Sequence, residues 1–137
     1  MSSQYDLPKN CKYSKTHEYA RIGSDDSVTI GVTDFAQKQL GSIVYVELPE
    51  VESEFNEGES FGVIESVKAT EDLFMIVSGI VIDVNSELEE MPELVNDDPY
   101  GKGWMIRVKP LNLEEEMGAL IDSDAYMEYI KSLEKEE

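Results

Sequence analysis

The chain has 137 residues, of which 11 are Lys or Arg and 30 are Asp or Glu, so its formal net charge is −19 at pH 7. A surface of this charge repels phosphate backbones and anionic lipid, which excludes nucleic acid and membrane surfaces as partners. One Cys and one His cannot build a zinc site, a disulfide or a Cys/His catalytic pair.

Length and apolar patterning predict a single domain over residues 1–137, with a β body at about 11–110 and a helical tail at 111–137. The sequence holds no long apolar run and no N-terminal targeting pattern. Nothing in it indicates an obligate oligomer. We therefore expect a cytoplasmic monomer.

Short runs rich in β-branched and aromatic residues fill the first four fifths of the sequence. Their alternation or composition predicts strands over 28–33, 43–48, 60–67, 73–77, 80–84 and 104–109. Turn residues such as Gly79 and Pro110 end or interrupt these runs. Many short strands with close turns are typical of a mainly β fold, either a flattened barrel or a sandwich.

Helices are predicted to be few and short. One begins at Asp34, because Gln37 completes a capping box and Gly41 provides a stop, and weaker starts lie at Ser86 and Asn112. Near the C-terminus the large apolar side chains share one helical stripe, formed by Tyr126, Tyr129, Ile130 and Leu133. This stripe predicts an amphipathic helix that packs on the β body.

Lys68 is isolated among acidic residues. It is the one basic residue between Lys38 and Lys102, a stretch with 16 Asp and Glu. An alternating strand ends just before it and a second β run follows, so we expect an exposed hairpin tip. Neighbouring carboxylates favour the charged ammonium, which argues against a nucleophilic or Schiff-base lysine.

Two interpretations of Lys68 remain open on these grounds. It is either a solvated lysine in loose ion pairs worth at most about 1 kcal/mol, or an attachment point. In the second case, acylation of the amine would remove its charge and place a flexible arm on a rigid base.

The hairpin segment reads Glu65-Ser66-Val67-Lys68-Ala69-Thr70, with Phe-Gly-Val-Ile at 61–64 and Ser-Gly at 78–79. It resembles the lipoyl-lysine hairpin of glycine cleavage system H proteins. Further segments stand in that family's order, at 13–18, 31–37, 40–41, 44–49, 92–96 and 99–104. The resemblance covers about 11–110 closely and the helical tail loosely.

The resemblance implies a lipoyl-domain-like hybrid β fold and a carrier protein without turnover of its own. Lys68 would hold lipoic acid in amide linkage, placed there by a lipoate-attaching enzyme. The arm would receive the aminomethyl group of glycine from a pyridoxal-phosphate glycine decarboxylase and deliver it to a tetrahydrofolate-dependent aminomethyltransferase. Dihydrolipoyl dehydrogenase would then reoxidise the arm.

The resemblance also implies roles for the residues around the arm. In the family, a hydroxyl and two carboxylates hold the loaded arm against the protein, and the matching positions here are Thr16, Glu18 and Asp72. Such groups suit a cationic amine. Recognition of the lipoyl turn by the attaching enzyme would fall on Glu65, Ser66, Val67 and Ala69.

Some positions depart from the family pattern. Residues 74–77 lack the usual Pro, Tyr19 stands where Trp is usual, and Gln39 stands where His is frequent. Met75, Ile76 and Ile80 follow the hairpin in the chain. Their side chains could therefore alter the groove where the arm rests or a partner docks.

Three alternatives stay open from the sequence. The first is an H-protein-like lipoate carrier that serves sulfur oxidation or a lipoate relay. The second is a biotin carrier, which Val67 and Ala69 oppose because biotin domains normally place Met on both sides of the lysine. The third is an unmodified module whose acidic face binds basic partners.

Overall fold

Two antiparallel sheets carry the fold in the computed structural model, which describes residues 5–135. The nine strands are β1 (Lys12–Tyr13), β2 (Glu18–Ile22), β3 (Val28–Val32), β4 (Ile43–Glu47), β5 (Glu54–Phe55), β6 (Ser60–Ser66), β7 (Thr70–Phe74), β8 (Gly79–Val84) and β9 (Ile106–Pro110). The larger sheet has the order β1-β2-β3-β9-β8-β5, and the smaller has the order β4-β6-β7.

Four α-helices and one 3-10 helix complete the described chain. They are α1 (Asp34–Leu40), the 3-10 helix (Ser86–Glu89), α2 (Leu94–Asp97), α3 (Leu113–Met117) and α4 (Ser123–Lys135). None of the helices within residues 5–135 is long and apolar enough to cross a membrane. The predicted mainly β fold with C-terminal helices is confirmed, and its strands form two sheets, not a closed barrel, within the described residues.

The predicted strands correspond to β3, β4, β6, β7, β8 and β9, and the sequence analysis missed β1, β2 and β5. The predicted strand at 75–77 is wrong, because β7 ends at Phe74. Met75 instead bonds to a neighbouring turn, with its N–H donating to the Glu59 carbonyl and its carbonyl accepting the Gly58 N–H, both at 2.8 Å. This apolar run is buried where the chain passes from the smaller sheet to the larger one.

Helix α1 begins at Asp34, but its N-cap lies one residue earlier than the predicted capping box placed it. The N-cap is Thr33, whose hydroxyl accepts the Ala36 N–H at 3.1 Å. Asp34 lies in the first turn and accepts the side-chain amide of Gln37 at 2.7 Å. The predicted stop is confirmed, since Gly41 adopts a φ of 80° at the C-cap.

The core has two parts. The main cluster lies between the sheets and includes Val28, Ile30, Ile64, Leu73, Val81, Ile106 and Val108. The second joins α4 to β1 and β2, where the Tyr13 and Tyr126 rings stack with centroids 4.8 Å apart. Tyr126 and Ile130 are fully buried while Tyr129 and Leu133 are partly buried, so α4 uses the predicted stripe.

Gly62 provides a test of how closely β4 and β6 approach. A Cβ at Gly62 would lie 2.2 Å from the Glu47 carbonyl oxygen, which is backbone and cannot move aside. Gly62→Ala should therefore lower the free energy of unfolding by about 2 kcal/mol or more, measured by chemical denaturation. Gly118→Ala is the control, because its Cβ would meet nothing closer than 3.4 Å. It should leave stability unchanged or raise it by up to about 1 kcal/mol.

Candidate functional site

Lys68 lies at the tip of the hairpin formed by β6 and β7, where Glu65 pairs with Thr70. The buried hydroxyl of Ser66 shapes this tip by accepting the N–H groups of Lys68 and Ala69, each at 3.1 Å. The Ser66 N–H donates to the Ala69 carbonyl at 2.8 Å. One short side chain therefore satisfies two backbone N–H groups of the turn.

The backbone conformation of the tip differs from that of a usual two-residue hairpin loop. Two-residue hairpin loops favour positive φ in the turn, but neither Val67 nor Lys68 has a positive φ. The tip is instead held from its side, since the Val67 N–H donates to the Ser42 carbonyl at 3.0 Å. Lys68 itself is exposed, with its Nζ 3.5 Å from the Gln39 carbonyl oxygen. The base of the tip is fixed while the amine is accessible.

A cleft of about 540 Å³ lies beside the tip. Gln39, whose carbonyl faces the Lys68 amine, is also part of its lining. Its apolar wall consists of Val32, Phe35, Ala36, Leu40, Ile64, Leu73, Phe74 and Leu133, and its polar wall includes Thr16, His17, Glu18, Glu71 and Asp72. The structure thus brings Thr16, Glu18 and Asp72 together, as the resemblance implied, whereas Glu65, Ser66, Val67 and Ala69 lie outside the cleft.

Glu18 is the most buried of these polar groups, with 2% of its surface exposed. Its Oε1 accepts the hydroxyls of Thr16 and, at 3.1 Å, Ser14, while Oε2 accepts the Phe74 N–H at 3.1 Å. Burial raises the pKa of Glu18 to about 7, although the hydrogen bonds from Thr16, Phe74 and Ser14 act in the opposite direction. The carboxyl therefore changes charge near neutral pH.

His17 lies among aromatic side chains and is hydrogen-bonded. Its Nδ1 lies 2.8 Å from the Tyr126 hydroxyl, and its ring centroid is 4.9 Å from that of Phe35. Burial lowers the pKa of His17, which favours the neutral ring. His17 has a φ of 75°, in the left-handed region, and this turn leads directly into Glu18.

Asp72 and Glu71 lie on opposite faces of β7, because Asp72 pairs with Val63 and Glu71 pairs with the buried Ile64. Asp72 is exposed, and its Oδ1 accepts the Ser60 hydroxyl at 3.4 Å. The sequence analysis missed Glu71, which strand alternation alone would have placed on the face of Ile64. It also missed Phe35 and Leu133, whose place in the lining depends on how α1 and α4 pack.

The residues that depart from the family pattern lie mostly away from this cleft. Met75 and Ile76 are buried and line a second cleft, of about 590 Å³. The two clefts share Thr16 and Phe74. The described lining of the cleft beside Lys68 includes none of Met75, Ile76 and Ile80. Their effect on where the arm rests or a partner docks stays a prediction.

Comparisons with known proteins agree with one another. A family model described as glycine cleavage H-protein matches residues 11–133. A probable glycine cleavage system H protein of Pyrococcus abyssi is 48% identical over 130 residues, covering 95% of this chain and 96% of that protein. The glycine cleavage system H protein of Rubrobacter xylanophilus is 52% identical over 132 residues, covering 96% and 98%. The crystal structure of the H protein from Mycobacterium marinum superposes with a TM-score of 0.84 at 33% identity, covering 91% of this chain and 99% of that one.

The raised pKa of Glu18 predicts a specific dependence of stability on pH. Because the folded pKa of about 7 exceeds the ordinary 4.5, the folded state holds a proton that the unfolded state releases. This contribution is fully present below pH 4.5 and is lost as pH rises through 7. Glu18→Gln should therefore become more stable relative to the wild type over that window, by up to about 3 kcal/mol.

The measurement is denaturant unfolding of both proteins at pH 5 and pH 8, between which most of this contribution is lost. Glu128→Gln on the exposed side of α4 is the control for the loss of one negative charge. A constant difference between wild type and Glu18→Gln across this range would show that Glu18 ionises without cost.

Proposed function

The chain belongs to the glycine cleavage H-protein family, and from this premise we propose that it is the lipoyl carrier of the glycine cleavage system, with lipoic acid bound in amide linkage to Lys68. In this role it passes the aminomethyl group of glycine from the pyridoxal-phosphate decarboxylase to the tetrahydrofolate-dependent aminomethyltransferase. Dihydrolipoyl dehydrogenase then restores the carrier. The observation that carries the proposal is the exposed amine of Lys68, on a braced hairpin tip beside an acidic cleft.

The tip fits the attachment of lipoate. When bound, the dithiolane of lipoate supplies a disulfide that accepts the aminomethyl carbon together with two electrons. The protein supplies the fixed point, because the Ser66 hydroxyl and the Ser42 carbonyl hold the backbone on both sides of Lys68. A fixed base with a flexible side chain lets the reactive end search partner active sites while the domain stays outside them.

The cleft fits the cationic cargo. Thr16, Glu18 and Asp72 provide one hydroxyl and two carboxylates, which are suitable acceptors for a primary ammonium group. Phe35 and Leu133 on the apolar wall limit the access of water to that group. Of the described residues that line the cleft, none is Lys or Arg, so an ammonium group would meet no competing cation.

The residues of the tip have two different roles. One of them shapes the turn, and the others are accessible to a partner. Ser66 is buried and its hydroxyl is occupied by the turn, so its contribution to recognition is the shape it imposes. Glu65 and Val67 are exposed and Ala69 is partly exposed. We assign direct contact with the lipoate-attaching enzyme to these three residues.

The first test replaces the amine. After incubation with lipoate, ATP and a lipoate-attaching enzyme, the wild type should gain one lipoyl group by intact-mass spectrometry. Lys68→Arg should gain none, because a guanidinium group is not acylated, and glycine cleavage in a reconstituted system should fall to background. Lys102→Arg, another exposed lysine, is the control and should be lipoylated normally. A biotinyl adduct, or a lipoyl group on Lys68→Arg, would contradict the proposal.

The second test concerns the cleft. Glu18→Gln and Asp72→Asn should each speed the hydrolytic loss of the aminomethyl group from the loaded protein by about tenfold, since each removes one charged hydrogen-bond acceptor. Neither should change lipoylation of Lys68. Released ammonia and formaldehyde report the rate, with Glu128→Gln as the control. The same rate in all four proteins would remove the cleft from the proposed function.

A further inference from the structure

An apolar patch lies on the outer face of the smaller sheet, beside the hairpin tip. We propose that Val44, Tyr45 and Val67 form a docking surface for the enzyme that acylates Lys68, and that this enzyme presents an apolar contact area bordered by basic side chains. The inference rests on the proposed function, because it requires Lys68 to be acylated.

The three side chains are exposed and adjacent. Their exposed fractions are 50% for Val44, 47% for Tyr45 and 69% for Val67. Tyr45 pairs with Glu65 across the sheet, and Val44 lies at the register shift between Ile43 and Tyr45. A bulge of this kind redirects a side chain, and both Val44 and Tyr45 are exposed here.

The tip lies directly against the start of β4. The Val67 N–H donates to the Ser42 carbonyl at 3.0 Å. A Cβ at Gly41 would lie 3.5 Å from Cε of Lys68 and 3.9 Å from a methyl group of Val67. The side chain to be acylated and Val67 of the apolar patch therefore both lie against the two residues that precede β4.

Carboxylates border this patch. Glu47 and Glu65 are exposed on β4 and β6, and Glu65 pairs with Tyr45. An apolar centre with a charged border is typical of a protein-binding site. With a net charge of −19 on the chain, the complementary border on the partner is basic.

The chemistry of attachment indicates that the acylating enzyme, and not a later partner, contacts this patch. The Lys68 amine, after losing a proton to that enzyme, attacks the carbonyl carbon of an activated lipoyl donor, such as a mixed anhydride with a nucleotide phosphate. The new C–N bond forms as the bond to the leaving group breaks. The leaving group departs with the electron pair, and the second proton of the amine passes to the enzyme or to solvent. Because Nζ extends only about 6 Å from the backbone, the enzyme must cover the tip itself. Later partners meet the end of an arm on the order of 10–15 Å long.

The test compares matched Val→Thr substitutions, which keep the shape and β-branching of the side chain and change only its polarity. V44T/V67T should lower kcat/KM for lipoate attachment about tenfold, mainly through KM. V51T is the control, because Val51 is 48% exposed and lies outside the smaller sheet. It should stay within about twofold of the wild type. Initial rates of adduct formation by intact mass, with lipoate, ATP and purified lipoate-attaching enzyme, give these values.

Prolonged incubation then brings V44T/V67T to full lipoylation, and its aminomethyl transfer is measured. A defect confined to attachment supports the proposal. Two results overturn the docking proposal: attachment at the wild-type rate, or an equal defect in attachment and transfer. Neither result contradicts the proposed carrier function. If the wild type accepts no lipoyl group, the proposed function itself fails. Tyr45→Ser repeats the comparison should the melting temperature of the double variant fall.

Discussion

The hydrogen bond from the Phe74 N–H to the buried carboxylate of Glu18 joins the two sheets at the cleft. Glu18 begins β2 in the larger sheet and Phe74 ends β7 in the smaller one, and their atoms lie 3.1 Å apart. The hydroxyls of Ser14 and Thr16 occupy the other oxygen. Because β7 runs from the hairpin tip to this bond, the same contact that closes the cleft floor also sets the position of Lys68 relative to it.

The opposite side of the tip is fixed by a single amide. The Asn96 Nδ2 donates to the Gly41 carbonyl and to Gln37 Oε1, and its Oδ1 accepts the Ile43 N–H, all at 2.9 Å. The amide thereby bonds on both sides of Ser42, whose carbonyl accepts the Val67 N–H. Satisfying these backbone groups leaves the turn with few alternative conformations. Flexibility at the site is therefore concentrated in the Lys68 side chain, where the proposed arm would require it.

The sequence predicted what depends on local pattern and missed what depends on packing. Alternating runs located β3 and β6, composition located β4, and the break between two β runs located the tip at Lys68. The two-residue strands β1 and β5 are too short to show a period, and β2 begins with a charged residue whose burial only the tertiary structure explains. Conversely, the apolar run at 75–77 is buried, as its composition indicated, but it does not form the strand that was predicted. In the cleft, the family resemblance identified the carboxylates. Leu133 was not identified, because it lies 115 residues from Glu18 in the sequence and reaches the cleft only through the packing of its helix.

Under the proposed function, the electrostatics of the cleft would let it distinguish a loaded arm from an empty one. Burial raises the pKa of Glu18 to about 7, and His17 beside it is favoured in the neutral form. A cation that enters the cleft stabilises the ionised carboxylate and lowers that pKa, and by linkage the ionised carboxylate binds the cation more tightly. An arm without an amine gains nothing from this coupling. In the proposed function, the desolvation of Glu18, which costs stability in the empty cleft, would thus favour a positively charged cargo.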